Sequence, residues 1–239
     1  MDKINSLSIV FPVYNEEANI RAVIEDTLVF LQEIARKYEV IAVNDGSTDG
    51  TAGILNELAT THQALRIIHF PENRGYGTAL RTGFEHARSN FVFFTDSDRQ
   101  FDITSLRAML PLIQSDDVDA VIGYRMNRQD SFVRKFLSWG FNTLAGFMFD
   151  LNVKDIDCAF KLFKAKIFKK ITIESERFFI DTEILAKARY FGFNIIEIGV
   201  KHFPRTAGKS SVSFKHIPLT VIELMRIRRS IQKLRNTNE

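Results

Sequence analysis

Residues 7–13 (LSIVFPV) form a nearly unbroken apolar run closed by Pro12, the pattern of a buried strand. The period then changes: Ile20, Val23, Ile24, Leu28, Leu31, Ile34 and Ala35 recur at helical spacing, which predicts a helix over 20–38. The alternation repeats along the first half, with short apolar strands predicted at 40–43, 65–70 and 91–95 and helices at 49–58 and 78–88. Strands alternating with helices predict a mostly parallel, Rossmann-like sheet flanked by helices on both faces, an α/β fold. In such sheets ligands bind beyond the carboxyl ends of the strands, so the loops that follow the strands are where chemistry is expected.

Those four loops are PVYNEE (12–17), NDGSTDG (44–50), ENRGYG (72–77) and DSDRQ (96–100). Turns and helix caps explain any one of them, with Ser47, Thr48 and Asp49 as cap residues and the glycines as turn formers. Four polar clusters at four successive strand ends ask for more. Asp96 and Asp98 stand two apart on an extended segment, so their side chains point the same way while Ser97 points opposite. Two carboxylates on one face suit Mg²⁺ or Mn²⁺, whose remaining positions go to water and phosphate oxygens, and Gln100 on the same face adds a third oxygen. Gly75 and Gly77 would let a ligand approach the start of the next helix closely. No Gly-x-Gly-x-x-Gly follows the first strand and no P-loop occurs, which disfavours a dinucleotide oxidoreductase and a P-loop phosphohydrolase.

Composition narrows the setting. The 239 residues are 45% apolar and 26% charged, with one cysteine, which excludes disorder and a disulfide scaffold. The lone Cys158 and the absence of a signal-peptide core point to the cytoplasm, and no segment approaches the ~20 apolar residues of a spanning helix. A net charge of +3 is too mild to imply nucleic acid. Positive charge gathers late, however, in an amphipathic basic helix predicted over 215–235, where Ile217, Val221, Leu224, Ile227, Ile231 and Leu234 lie opposite Arg226, Arg229 and Lys233. That stripe suits packing on the preceding domain, an anionic membrane surface, or a membrane-spanning partner.

The segments FPVYNEE (11–17), VNDGSTDGT (43–51), NRGYGTA (73–79) and DSD (96–98) together resemble family 2 glycosyltransferases with the GT-A fold. Within that family the chain is most similar to the dolichyl-phosphate mannosyltransferase and polyprenyl-phosphate glycosyltransferase branch, over roughly 7–211. The resemblance implies a nucleotide-sugar donor held by Pro12, Tyr14, Glu16, Asp45, Gly75, Gly77 and Ser97, with Asp96, Asp98 and Gln100 on a Mg²⁺ or Mn²⁺ ion. Asn44 stands where many members have a second Asp, which bears on the choice of nucleotide. It implies residues 1–212 as the catalytic unit and 213–239 as a C-terminal helix and tail.

For the acceptor, the same branch implies basic residues in the second half of the fold. Arg125 follows the strand predicted at 120–123, and Arg134, Ser138 and Asn142 lie four apart on an otherwise aromatic helix, which is either a core helix or a surface that meets lipid. The segment DIDCAFK (155–161) resembles the family's stretch beside the reacting sugar, with Lys161 in place of the commoner Arg, and RTAGKSS (205–211) resembles the loop that closes over the donor diphosphate, with Ser211 in place of Lys. Arg205 and Lys209 are then expected on the diphosphate, and Arg125, Arg134 and Lys161 on phosphates. Cys158 is expected to pack rather than react, and Asp181 to act as a cap or as a charge on the helix dipole at the start of a helix over 181–191. A hydroxyl acceptor needs a base, for which Asp157 is the candidate, whereas a lipid phosphate is already an anion. The expected function is inverting transfer of one sugar to polyprenyl phosphate, peripherally on the cytoplasmic face of a membrane. The alternatives are transfer to a sugar hydroxyl in cell-surface polysaccharide or glycolipid synthesis, and a non-catalytic sugar-nucleotide scaffold.

Overall fold

A computed structural model describes residues 3–126, 132–204 and 217–238, with side chains described for all of these except 132–134, 136, 217–219 and 235–238. Seven strands, β1 (Ile4–Val13), β2 (Ala35–Asn44), β3 (Leu65–His69), β4 (Phe91–Thr95), β5 (Ala120–Met126), β6 (Phe160–Lys164) and β7 (Ile195–Lys201), form one sheet in the order β3-β2-β1-β4-β6-β5-β7. β1 pairs in parallel with β2 and β4, as do β2 with β3 and β5 with β7. Only β6 runs antiparallel, to both β4 and β5.

Along β1 the side chains divide by parity. Leu7, Ile9, Phe11 and Val13 join a core with Ile20, Ile24, Leu28 and Leu31 of α1 (Ile20–Ile34), while Val10 joins the opposite core with Leu80 and Phe84 of α3 (Tyr76–His86). Gly83 of α3 is the contact point, since a Cβ there would fall 2.2 Å from Val10 Cγ1. The second core also takes Phe149 of α5 (Phe132–Phe149), Ile184 and Leu185 of α7 (Ile180–Tyr190), and Leu224 and Ile227 of α8 (Ile217–Asn238). The basic C-terminal helix therefore packs on the domain through part of its apolar stripe. The shorter helices are α2 (Thr51–Thr61), α4 (Leu110–Ile113) and α6 (Lys166–Lys170), with a 3-10 turn at Ile103–Ala108.

Several boundaries differ from the predicted ones. The first helix stops at Ile34, and β2 begins at Ala35 with no loop between them, because Ala35 is already extended and pairs with Ile4. Residues 36–38 fit a helical period, but pairing along the full length of β1 wins. β5 continues through Met126, which puts Tyr124 and Arg125 inside a strand rather than in a loop. Asp181 does not cap α7: the N-cap is Phe179, with no side-chain cap bond.

A buried ion pair anchors α7. Glu183 and Lys187 are one turn apart and both about 1% exposed, with Nζ to Oε1 at 2.6 Å. Lys187 also donates to Thr172 O, while Glu183 accepts from the backbone N–H groups of Glu174 and Ser175. The segment after α6 is thereby pinned to α7. Glu183→Ala takes from the buried Lys187 ammonium its buried carboxylate, leaving it Thr172 O and the more distant Glu174, and strips two N–H groups of their acceptor, so it should cost about 3–5 kcal/mol, read as a lowered urea midpoint.

Candidate active site

At the carboxyl end of the sheet, the loops after β1, β2 and β3 are sewn to one another. Asn15 N donates to Ser47 Oγ and Asn15 Oδ1 accepts from Thr48 N, while Glu17 Oε2 accepts from Gly50 N at 2.7 Å. Asp45 spends its carboxylate on the next loop, accepting from Arg74 N at 2.6 Å and Gly75 N at 3.0 Å. Glu16 is buried and accepts from Asn19 Nδ2. Ser97, also buried, donates to Pro12 O at 3.0 Å and so ties the end of β4 to β1. Of the residues expected on the nucleoside, Tyr14 is the one whose side chain stands exposed. Pro12, Glu16, Asp45 and Ser97 hold the loops that would form its walls.

Asn44 carries a similar duty. Its Oδ1 accepts from Ser47 N and its Nδ2 donates to His69 Nδ1 at 2.9 Å, leaving His69 Nε2–H to donate to Asn56 Oδ1 at 3.0 Å.

The glycine pair packs against protein backbone. A Cβ on Gly77 would lie 2.6 Å from Arg177 O and Glu176 C, and one on Gly75, where φ is +94°, 2.6 Å from Glu176 O. The close approach is between two stretches of backbone, 75–78 and 176–177, sealed by Thr78 N donating to Glu176 O. Tyr76, between the glycines, stacks on Phe178 and donates its hydroxyl to Asp96 Oδ1 at 3.1 Å. Crowding by protein and then the carboxylates of Asp96, Asp181 and Asp98 push this phenol well above its usual pKa, so it stays a donor.

Asp98 is buried, and its Oδ1 accepts from Gln100 N at 3.1 Å. The Gln100 amide nitrogen donates to Phe203 O, fastening the chain after β7 to this loop. Among the described residues, no group of three or more His, Cys, Asp or Glu side chains converges on one point. Asp96 and Asp98 offer two hard oxygen donors at a strand end, a donor set that fits Mg²⁺ or Mn²⁺ when a diphosphate completes the shell.

Beside this loop lies a cluster of alternating charge. Lys161 is 0% exposed; its Nζ donates to Asp181 Oδ1 at 2.6 Å and to Cys158 O, and it sits over the Phe94 ring. It therefore braces Asp181. Arg125 is committed in the same way: its Nε and Nη2 clasp Asp155 at 2.7 Å each in a bidentate pair that is nearly buried. Cys158 is buried with its thiol pushed far up by desolvation, as suits a packing residue. The side chains of Arg134, Arg205 and Lys209 lie outside the described residues.

Residues 8–172 match the family model for glycosyl transferase family 2. The chain belongs to that family. Among its relatives, dodecaprenyl-phosphate galacturonate synthase of Rhizobium johnstonii is 28% identical over 92% of this chain and 66% of its own length. Undecaprenyl-phosphate 4-deoxy-4-formamido-L-arabinose transferase of Pectobacterium atrosepticum is 34% identical over 94% of this chain and 67% of its own. Dolichyl-phosphate beta-glucosyltransferase of Saccharomyces cerevisiae is 30% identical over 89% and 71%. The chain thus spans about two thirds of the length of the curated relatives it matches. Among solved structures, glucosyl-3-phosphoglycerate synthase from Mycobacterium tuberculosis, in complex with Mn²⁺, UDP and phosphoglyceric acid, superposes with a TM-score of 0.72 over 95% of this chain and 78% of that one, at 17% identity. The shared architecture is the GT-A fold.

Three features of this family 2 site were not read from sequence: the Tyr76 hydroxyl on Asp96, the Arg125–Asp155 clasp and the Lys161–Asp181 pair. Each joins residues 20 or more apart, beyond any local pattern. A groove of about 570 Å³ also opens between α1 and the 99–107 segment, reaching Asp96, with Phe11, Phe30, Phe101 and Phe203 among its walls. The Thr95 hydroxyl at its lining is buried without a hydrogen-bond partner among the described residues.

Asp157 is the titrating member of the cluster. Its carboxyl is pushed up to about 7 by crowding, then by Asp181 and Asp155, against the opposing pull of Arg125 and Lys161. With an unfolded value near 3.8, the folded chain keeps this proton over a range in which the unfolded chain has lost it. Stability from this group is present at low pH and declines as pH rises from about 4 to about 7. Asp157→Asn should flatten that part of the profile, measured by urea unfolding across the same range.

Proposed function

We propose that this chain transfers a single sugar, with inversion, from a UDP- or GDP-sugar to a polyprenyl phosphate, at a Mg²⁺ or Mn²⁺ site held by Asp96 and Asp98. The observation that carries the reading is the likeness, along nine tenths of the chain, to relatives whose names are those of polyprenyl-phosphate sugar transferases. Under this reading residues 1–212 are the catalytic unit and 213–239 a basic helix docked on it.

Tyr14 supplies an exposed ring at the donor end, beside the loops that Asp45, Glu16 and Ser97 brace. A divalent cation, when bound, neutralises charge on the diphosphate and so favours departure of the nucleotide. A phosphate acceptor arrives ionised, so the protein's work is to place two anions in line and offset their repulsion. Arg134, Arg205 and Lys209 are assigned to that task, with Arg125 and Lys161 setting the positions of Asp155 and Asp181. Asp157, half protonated near pH 7, can offer a hydrogen bond to an anion in its neutral form. The same pKa favours a second reading, in which Asp157 is the base for a hydroxyl acceptor.

A lipid acceptor calls for a membrane-facing surface. On α5, Trp139 is 63% and Phe147 90% exposed, and on α8 Val221, Ile222 and Met225 are exposed along the helix that carries Arg226, Arg228, Arg229 and Lys233. No helix among the described residues is long and apolar enough to cross a membrane. We assign these helices to the interface of an anionic leaflet, with the enzyme peripheral on its cytoplasmic side.

Incubation with UDP- and GDP-sugars, Mn²⁺ and undecaprenyl phosphate in detergent should yield a lipid-linked sugar detectable by mass, and Asp98→Ala should abolish it with folding unchanged. Absence of product with every donor, despite Mn²⁺-dependent nucleotide binding, would favour the hydroxyl reading. Replacing Trp139 and Phe147 together by Ser should weaken binding to anionic vesicles at least about tenfold in flotation assays.

A further inference from the structure

We infer that Tyr76 is a positioning residue for the cation site: its hydroxyl fixes the rotation of the Asp96 carboxylate so that Asp96 and Asp98 present oxygens together. The inference rests on the reading that these two carboxylates hold the cation. Its basis is the bond from Tyr76 Oη to Asp96 Oδ1 at 3.1 Å and the rigidity of the frame that delivers it.

That frame is fixed at every side. Gly75 N is held by Asp45 Oδ2 at 3.0 Å. Gly75 and Gly77 press their α-carbons against the 176–177 backbone so closely that no Cβ would fit, and Thr78 N donates to Glu176 O at 3.2 Å. The opposing segment is itself clamped by the buried Glu183, which accepts from Glu174 N and Ser175 N. The Tyr76 ring stacks on Phe178, centroids 6.0 Å apart and planes 24° apart. A hydroxyl carried on backbone that cannot slide, and on a ring that is stacked, comes to Asp96 with little freedom left to lose. On the other side Asp98 takes its own bearing from Gln100 N, and Ser97 between the two carboxylates is tied to Pro12 O. Each carboxylate of the pair thus receives a hydrogen bond from a different element, and Asp96 takes this one from the first residue of α3.

Outer-shell partners of this kind set the rotation of a ligand, and their removal typically costs tenfold or more in metal affinity. Tyr76→Phe deletes the hydroxyl and keeps the ring. Mn²⁺ binding in the presence of UDP, followed by loss of the free-ion EPR signal, should be tight in wild type, absent in Asp96→Ala and about tenfold or more weaker in Tyr76→Phe. UDP binding without metal should be the same in Tyr76→Phe as in wild type, as should the thermal midpoint of the metal-free protein. Wild-type Mn²⁺ affinity in Tyr76→Phe, with Asp96→Ala still defective, would overturn the inference alone. A lowered midpoint with unchanged affinity in the folded protein would also overturn it, as the mark of a purely structural bond. No Mn²⁺ binding by wild type would overturn the cation reading itself. If Tyr76→Phe does not fold, Phe178→Leu takes its place: it keeps the hydroxyl and loosens the stack, so Mn²⁺ binding should weaken, and wild-type affinity there would count against the role of Tyr76.

Discussion

An ammonium shut away from water must find negative partners within its own reach, and Lys161 on β6 is in that position. It draws in the Asp181 carboxylate from the first turn of α7 and the carbonyl of Cys158 from its own strand entry. The arrangement on the cleft floor follows from that requirement. Asp181, committed to Lys161, still projects enough charge to raise both the Tyr76 phenol and the Asp157 carboxyl. The antiparallel β6 is what makes this possible, because it brings a strand entry, rather than a strand exit, alongside the carboxyl end of β4.

A second constraint comes from backbone polar groups. Loops that cross the open end of a sheet expose N–H groups that a ladder would otherwise pair, and here side chains of the motif residues satisfy many of them. The acidic and hydroxyl residues clustered there thus serve two ends at once. Some, such as Asp45 and Ser97, make the rim rigid, so that others, Tyr14, Asp96 and Asp98, can stand at fixed places. These bonds hold the loops at the rim to one another as well as to the strands beneath them.

This division explains how far the sequence could be read. Apolar periodicity located β1 to β4 and their helices, and the polar runs after them marked the end of the sheet that matters. The α1–β2 joint escaped because Arg36, Lys37 and Tyr38 suit either state, and pairing with β1 is a long-range event. β6 escaped because a lysine at a fully buried position reads as surface. Within the motifs, residue type told which atoms were available but not which protein groups they meet: Gly75 and Gly77 lie against the 176–177 backbone, Arg125 clasps Asp155 and Lys161 pairs with Asp181. The Asp96–Asp98 spacing was read on an extended segment, whereas β4 ends at Thr95 and the chain bends through 97–99, with Arg99 at φ +61°.

The joint between α1 and β2 carries a consequence of its own. A helix that passes into a strand with no intervening residue has no slack, so the axial position of α1 and the register of β2 against β1 are one variable. One residue gained or lost between 20 and 39 would turn Ile41 and Val43 toward the wrong core and Val40 and Ala42 with them, or else drag the helix about 100° around its axis. The stretch thus acts as a ruler, metering how far Asn44 and Asp45 extend past the sheet. Homologous exchange of α1 by a helix of different length would have to be compensated at the strand, where nothing is free to give.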